Sequence, residues 1–188
     1  VGLDLATDSA TTITIVKDAR PDNRRNFRFV GSLGNFKLDD PGFNDHDKTE
    51  ASQRFEVTAG SYTIREEVPH SWHLTSIQCS GGSTTVDLTN RQVTINIVAG
   101  QNVTCSFVNE YGSAIWVDKY SDLNANGRRS WELGLLGWQM SLYNSAGALV
   151  ASDTTNIFGK VHFWDVAPGS YTLCETQRNG WSNSQPGT

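Results

Sequence analysis

At 188 residues with a formal net charge of −5 and a sequence pI near 5.3, the chain has no basic excess for binding nucleic acid. No apolar run approaches the length of a membrane span, so membrane insertion of this segment is not expected. A 37% hydrophobic fraction with one Met, six Trp, eight Phe and 17 Gly suits one or two small β cores.

The predicted elements are all strands. Short runs of Thr, Val, Ile and aromatics alternate with Gly, Asn, Asp and Ser clusters, and no stretch keeps helical apolar spacing over three turns. An N-terminal extension occupies residues 1–11, and its run Val1-Gly-Leu-Asp-Leu-Ala6 could donate a strand or close a preceding module. A first module at 12–111 has strands expected at 12–17, 26–30, 54–58, 61–66, 73–78, 92–98 and 102–109. Between them the acidic stretch from Asp39 to Asp47 reads as a solvated loop. A second module at 112–188 has strands expected at 114–119, 137–143, 148–153, 160–164 and 170–175, and no counterpart of 102–109. The fold class is therefore two tandem Ig-like β-sandwich modules, the second lacking its last strand, with an open sheet edge.

An internal repeat supports this division. Ala59-Gly-Ser-Tyr-Thr-Ile-Arg-Glu66 recurs as Pro168-Gly-Ser-Tyr-Thr-Leu-Cys-Glu175, and Ile13, Ile15 and Lys17 recur as Ile115, Val117 and Lys119. Trp72 and Trp181 follow the repeat at similar distances, which favours packing roles for both. Among Trp116, Trp131, Trp138 and Trp164 two or more are expected to be exposed, which keeps a carbohydrate- or protein-binding adhesin module as the alternative function.

Three strand ends carry chemistry. Side chains alternate faces along a strand, so Lys17 shares a face with Ile13 and Ile15, Glu66 with Tyr62 and Ile64, and Asn109 with Cys105 and Phe107. If those faces share one core, an amine, a carboxyl and a carboxamide meet at its edge, a set able to form a covalent bond without a cofactor. Cys79 and Cys105 are expected to pair as a disulfide, which implies an oxidising compartment, or else to be two buried thiols. Cys174 is then left without a partner in the chain, in the same region as the missing strand.

Asp122-Leu-Asn124-Ala-Asn126-Gly127 spaces three oxygen side chains at alternate positions before a glycine turn, as the first half of an EF-hand-type loop does. With Glu132 closing it, the loop could hold calcium; it could equally be an Asn/Gly turn that binds nothing. His46, His70, His73 and His162 are scattered, and no nucleophile elbow, phosphate loop or zinc spacing appears, so no turnover enzyme is expected.

The runs Ile13-Thr-Ile-Val-Lys-Asp18, Gly60-Ser-Tyr-Thr-Ile-Arg-Glu66 and Thr104-Cys-Ser-Phe-Val-Asn109 resemble prealbumin-like, collagen-adhesin B-type (SpaA-like) domains of bacterial surface proteins. The second module, on Asp122–Gly127, Glu132, Gly134-Leu-Leu-Gly-Trp138 and Pro168–Glu175, resembles the serine-aspartate-repeat B-type domain. The resemblance implies a structural repeat of an extracellular stalk, adhesin or pilin-like filament on a bacterial cell surface. Neighbouring copies or modules would be its partners, and strand complementation is one way they could assemble. It also implies an isopeptide bond between Lys17 and Asn109, assisted by Glu66 in a single self-crosslinking turnover. In the family's calcium loop an Asp stands where this chain has Ser130, and the closing Glu comes one residue later than Glu132.

Overall fold

The computed structural model describes residues 10–40 and 49–184. The Val1–Ala6 run and most of the acidic stretch lie outside the described residues. The chain divides into two compact units, 1–111 and 112–188. Every described regular element is a strand.

In the first unit the strands are β1 (Thr12–Arg20), β2 (Asn23–Gly31), β3 (Phe36–Asp40), β4 (Ser52–Glu56), β5 (Gly60–Glu67), β6 (Trp72–Ser80), β7 (Ser83–Asp87), β8 (Gln92–Ile97) and β9 (Asn102–Tyr111). They form a four-stranded sheet, β4-β1-β9-β6, and a five-stranded sheet, β3-β2-β5-β8-β7. β1 and β9 run parallel, and every other pair is antiparallel. The period-2 pattern of each strand turns one row inward. Ile13 and Ile15 from β1 and Val103, Cys105 and Phe107 from β9 meet Phe27, Phe29, Ile64, Val93 and Ile95 from the other sheet. The Phe29 and Phe107 rings pack edge to face at 5.1 Å.

Between β6 and β7 the chain turns on Gly81 and Gly82, both with positive φ (80° and 62°). A Cβ on Gly81 would lie 2.3 Å from the Asn102 carbonyl oxygen, so only glycine lets the turn close against β9.

β3 and β7 were not expected. Both are short outer strands, each with one neighbour. The acidic end of β3 also corrects the solvated-loop reading: Asp39 is buried, and the Asp40 carboxylate accepts a hydrogen bond from the Ala19 amide at 2.8 Å. The fourth strand begins two residues earlier than expected, at Ser52.

The second unit holds β10 (Ser113–Asp118), β11 (Gln139–Asn144), β12 (Leu149–Thr154), β13 (Lys160–Val166) and β14 (Tyr171–Glu175). β10 pairs with β13, and β11 lies between β12 and β14. This is the arrangement of β1–β5 repeated in the same register: Ile13 faces Phe55 and Thr14 faces Arg54, as Ile115 faces Phe163 and Trp116 faces His162. A smaller core of Trp138, Met140, Leu142, Val161, Phe163 and Val166 fills it. Among the described residues counterparts of β6–β9 are absent, so four strands and not only the last are missing from this unit. Among the described residues β10 therefore has no neighbour where β1 has β9, and β14 has none where β5 has β8.

Candidate functional site

The parallel pairing of β1 with β9 sets the geometry of the first site. Lys17 lies opposite Phe107, and Asn109 is two residues farther along β9 on the same inward face. Two residues span about 6.6 Å of strand, a distance an extended lysine side chain covers. Lys17 Nζ accordingly reaches Asn109 Oδ1 at 2.7 Å and also donates to the carbonyl oxygens of Phe107 (2.9 Å) and Asp18 (2.8 Å). Glu66 comes from the facing sheet, where β5 pairs with β2 and Glu66 lies opposite Phe29. Its Oε1 is 3.7 Å from Lys17 Nζ, and both side chains are 0% exposed. Asn109 is equally buried. The Phe27 ring closes the site, with Nζ 4.2 Å from its centroid.

Burial decides the charges here. It pulls the Lys17 amine down to about 8, against the opposing pull of Glu66, Asp18 and Asp40, because an ammonium loses its hydration in the core. Burial likewise raises the Glu66 carboxyl, while Lys17 and the Asn109 carboxamide favour its anion. Lys17 Nζ stays 3.7 Å from Glu66, and both Glu66 oxygens and Asn109 Nδ2 lack a well-formed hydrogen bond. Moving one proton from Lys17 to Glu66 leaves the net charge of the pair unchanged and removes two buried charges. Deprotonated Lys17 gives up one of its three hydrogen bonds to carbonyl oxygens and gains a lone pair, with the Asn109 carbonyl beside it and the Glu66 carboxylic acid 3.7 Å away.

The cysteines fall on the adjacent ladder. Cys79 on β6 lies directly opposite Cys105 on β9, with Cα atoms 4.1 Å apart, and the two form a disulfide. The bond closes a separation of 26 residues, worth about 3–4 kcal/mol of unfolded-chain entropy. Cys174 is a free, exposed thiol on β14.

The repeat places Lys119 and Glu175 together in the second unit, with Nζ–Oε2 at 2.8 Å and Nζ 4.4 Å from the Trp138 ring. Both side chains are 16% exposed. Gly159 makes room beside them: its φ is 73°, and a Cβ there would lie 2.0 Å from the Lys119 carbonyl oxygen. A groove of about 800 Å³ opens next to the pair, lined by Val117, Met140, Leu173 and Trp181. Trp181 is not the equivalent of Trp72. Trp72 is buried at the start of β6, whereas Trp181 sits in a turn, half exposed, with its ring edge-on to Trp138.

The acidic loop turns its oxygens toward its own backbone. Asp122 accepts from the amides of Asn126 (3.1 Å) and Gly127 (2.8 Å), Asn124 from Asn126, Asn126 from Arg128, and Glu132 from Ser130. The Ser184 hydroxyl and these amides hold the Asp122 carboxyl below its ordinary range. Among the described residues no three His, Cys, Asp or Glu side chains converge as a metal site. As they stand these donors do not fit a resident calcium ion.

A family model described as a prealbumin-like fold domain matches residues 13–111. The chain belongs to that family. The resemblance drawn from Lys17, Glu66 and Asn109 and their flanking strands is to the same fold, and an all-β architecture with tandem sandwich modules agrees with it. Colossin-A of Dictyostelium discoideum is 32% identical over 122 residues, 64% of this chain and 1% of that protein. Two solved structures are similar at low identity. A streptococcal ancillary pilin is 15% identical, with 95% of this chain and 57% of that one covered and a TM-score of 0.41. The shaft pilin SpaA from Lactobacillus rhamnosus GG is 11% identical, with 92% and 89% covered and a TM-score of 0.32. The chain spans a small fraction of Colossin-A and just over half of the streptococcal pilin.

Phe27 is the site residue that sequence reading missed. Its signal was available, since Phe27 and Phe29 alternate on β2 as inward residues, but nothing in one strand says which lysine its ring will meet.

Proposed function

We propose that this chain is a structural segment of an extracellular bacterial stalk, adhesin or filament, and that its first unit staples itself with an amide between Lys17 and Asn109. The observation that carries the reading is the 2.7 Å approach of Lys17 Nζ to Asn109 Oδ1 between parallel strands, with a buried acid beside them. The neutral Lys17 amine attacks the Asn109 Cγ. Glu66, as the acid, stabilises the developing oxyanion and passes a proton to the departing amide nitrogen. A C–N bond forms, a C–N bond breaks and one ammonia leaves. The proton that the attacking Lys17 nitrogen sheds returns to Glu66, which is regenerated, but Lys17 and Asn109 are consumed, so the unit modifies itself once and does not turn over.

The mechanical consequence follows from strand direction. The unit's chain enters at the start of β1 and leaves at the end of β9, and pulling on two parallel strands from those opposite ends shears the ladder between them. A Lys17–Asn109 bond carries tension across that ladder and shields everything between the two residues, a separation of 92. Closing that loop also stabilises by about 4–5 kcal/mol through the unfolded state.

The open edges of β10 and β14 support assembly by strand complementation, with a strand from a neighbouring copy or module lying parallel to β10 as β9 lies to β1. The disulfide supports an oxidising, extracellular setting. Intact-mass spectrometry tests the staple. The protein is expected one ammonia lighter than its disulfide-bonded sequence mass, and Asn109→Ala is expected to show no such deficit. A full mass for the unmutated chain sinks the self-crosslinking reading.

A further inference from the structure

The outer face of the β10–β13 ribbon carries three aromatic rings that the fold does not require. Trp116 on β10 lies opposite His162 on β13, and Trp164 is two residues farther along the same face. The ring centroids are 3.9 Å apart for Trp116–His162, 5.3 Å for Trp116–Trp164 and 5.7 Å for His162–Trp164. The two indoles are 64% and 65% exposed. One end of the ribbon is polar: Asp118 accepts from Arg129 at 2.9 Å and lies 3.7 Å from Lys160.

The first unit is an internal control for this surface. By register, the positions of Trp116, His162 and Trp164 correspond to Thr14, Arg54 and Glu56. There the same ladder presents polar groups, and the packing beneath it is sound. The strands that complete the first sandwich also leave this face uncovered, since Arg54 and Glu56 are exposed. Completing the second unit in the same way leaves the rings accessible.

We propose that this face is a saccharide platform for a chain of all-equatorial, β-1,4-linked pyranoses. Such sugars carry only axial C–H groups on their ring faces, which are attracted to electron-rich indole faces. Their equatorial hydroxyls form a rim that suits the Asp118 carboxylate as acceptor and the Arg129 and Lys160 groups as donors. The patch is too small to anchor a protein. Two strands about 4.8 Å apart and six residues long offer on the order of 200 Å², against about 800 Å² per partner in a stable protein interface. A ribbon of that length matches several linked sugar rings. This reading goes beyond the structural role proposed for the chain and does not depend on the Lys17–Asn109 bond.

The test uses the full chain with cellohexaose and chitohexaose as probes, followed by calorimetry and by indole N–H resonances. At least one hexaose is expected to bind and to shift the indole signals of Trp116 and Trp164, leaving those of buried Trp72 and Trp138 in place. The double substitution Trp116→Thr with Trp164→Glu installs the first unit's residues; it is expected to keep the melting midpoint and weaken binding at least tenfold. Failure of both hexaoses to bind overturns the proposal, as does undiminished binding by the double variant. Concentration-dependent self-association that the double substitution abolishes overturns it as well, by showing the rings to be a protein contact.

Discussion

The two units hold the same lysine–glutamate pair in different solvents. In the first, two facing sheets close over Lys17 and Glu66, and the pair is dry and 3.7 Å apart, with the Asn109 carboxamide accepting from Lys17. In the second, a counterpart of β9 beside β10 is absent among the described residues, and Lys119 and Glu175, each 16% exposed, form a direct ion pair at 2.8 Å. The same residues at the same register therefore do different work. What separates the two pairs is the ninth strand, which in the first unit supplies both a roof that excludes water and the Asn109 carboxamide.

Matched substitutions give the largest expected effect. Lys17→Met removes the amine end of the proposed staple, so the first unit is expected to lose the loop-closure stabilisation of about 4–5 kcal/mol. Lys119→Met leaves Glu175 partly in water and is expected to cost about 1 kcal/mol, from the loss of an ion pair that solvent still reaches and of the cation–π contact with Trp138. Calorimetry resolving the two transitions checks both. Equal losses in the two units would mean that burial is not what separates them.

Much of this contrast could be read in the sequence, because strand parity alone puts Lys17, Glu66 and Asn109 on inward faces and the repeat aligns them with Lys119 and Glu175. The parts that could not be read share a physical cause. β3 and β7 are outer strands held by ladders to β2 and β8; Phe36-Lys-Leu-Asp-Asp40 buries one leucine and one acid, and Ser83-Thr-Thr-Val-Asp87 has one aliphatic residue. Their pairing energy lies in other segments. Asp39 is buried for the same reason, since its surroundings come from the rest of the fold. Trp181 repeats the spacing of Trp72 but not its burial, because spacing fixes position along a chain and not the strand that covers it.

A second, smaller effect sharpens the contrast through pH. Glu66→Gln is expected to block proton transfer and leave Lys17 unreacted in the core. The Lys17 amine, at about 8 with Glu66 beside it, has a lowered proton affinity in the folded state, and removing that carboxylate lowers it further. Between that value and its unfolded 10.5 the unfolded chain binds more protons than the folded one, so stability rises with pH across this window. The gain is at least about 3 kcal/mol by pH 10.5. Urea midpoints for the first unit should rise accordingly between pH 7.5 and pH 10. A flat profile would place the amine in water and remove the argument for its reactivity.

The smallest expected effect concerns the loop at Asp122–Gly127. Its side-chain oxygens already satisfy the amides of Asn126, Gly127, Arg128 and Ser130, so calcium must break those hydrogen bonds before it gains ligands. It would then find two carboxylates, Asp122 and Glu132, where tighter calcium loops gather more charge. Saturating a site at a hundredfold excess over its Kd would add about 2.7 kcal/mol to the second unit, a shift of several degrees for a domain of this size. Millimolar calcium is expected instead to leave its melting midpoint within about 1 °C, because folding has already used the donors. An upward shift that Asp122→Asn abolishes would show that the loop rearranges around a cation and that the second unit is stiffened by metal.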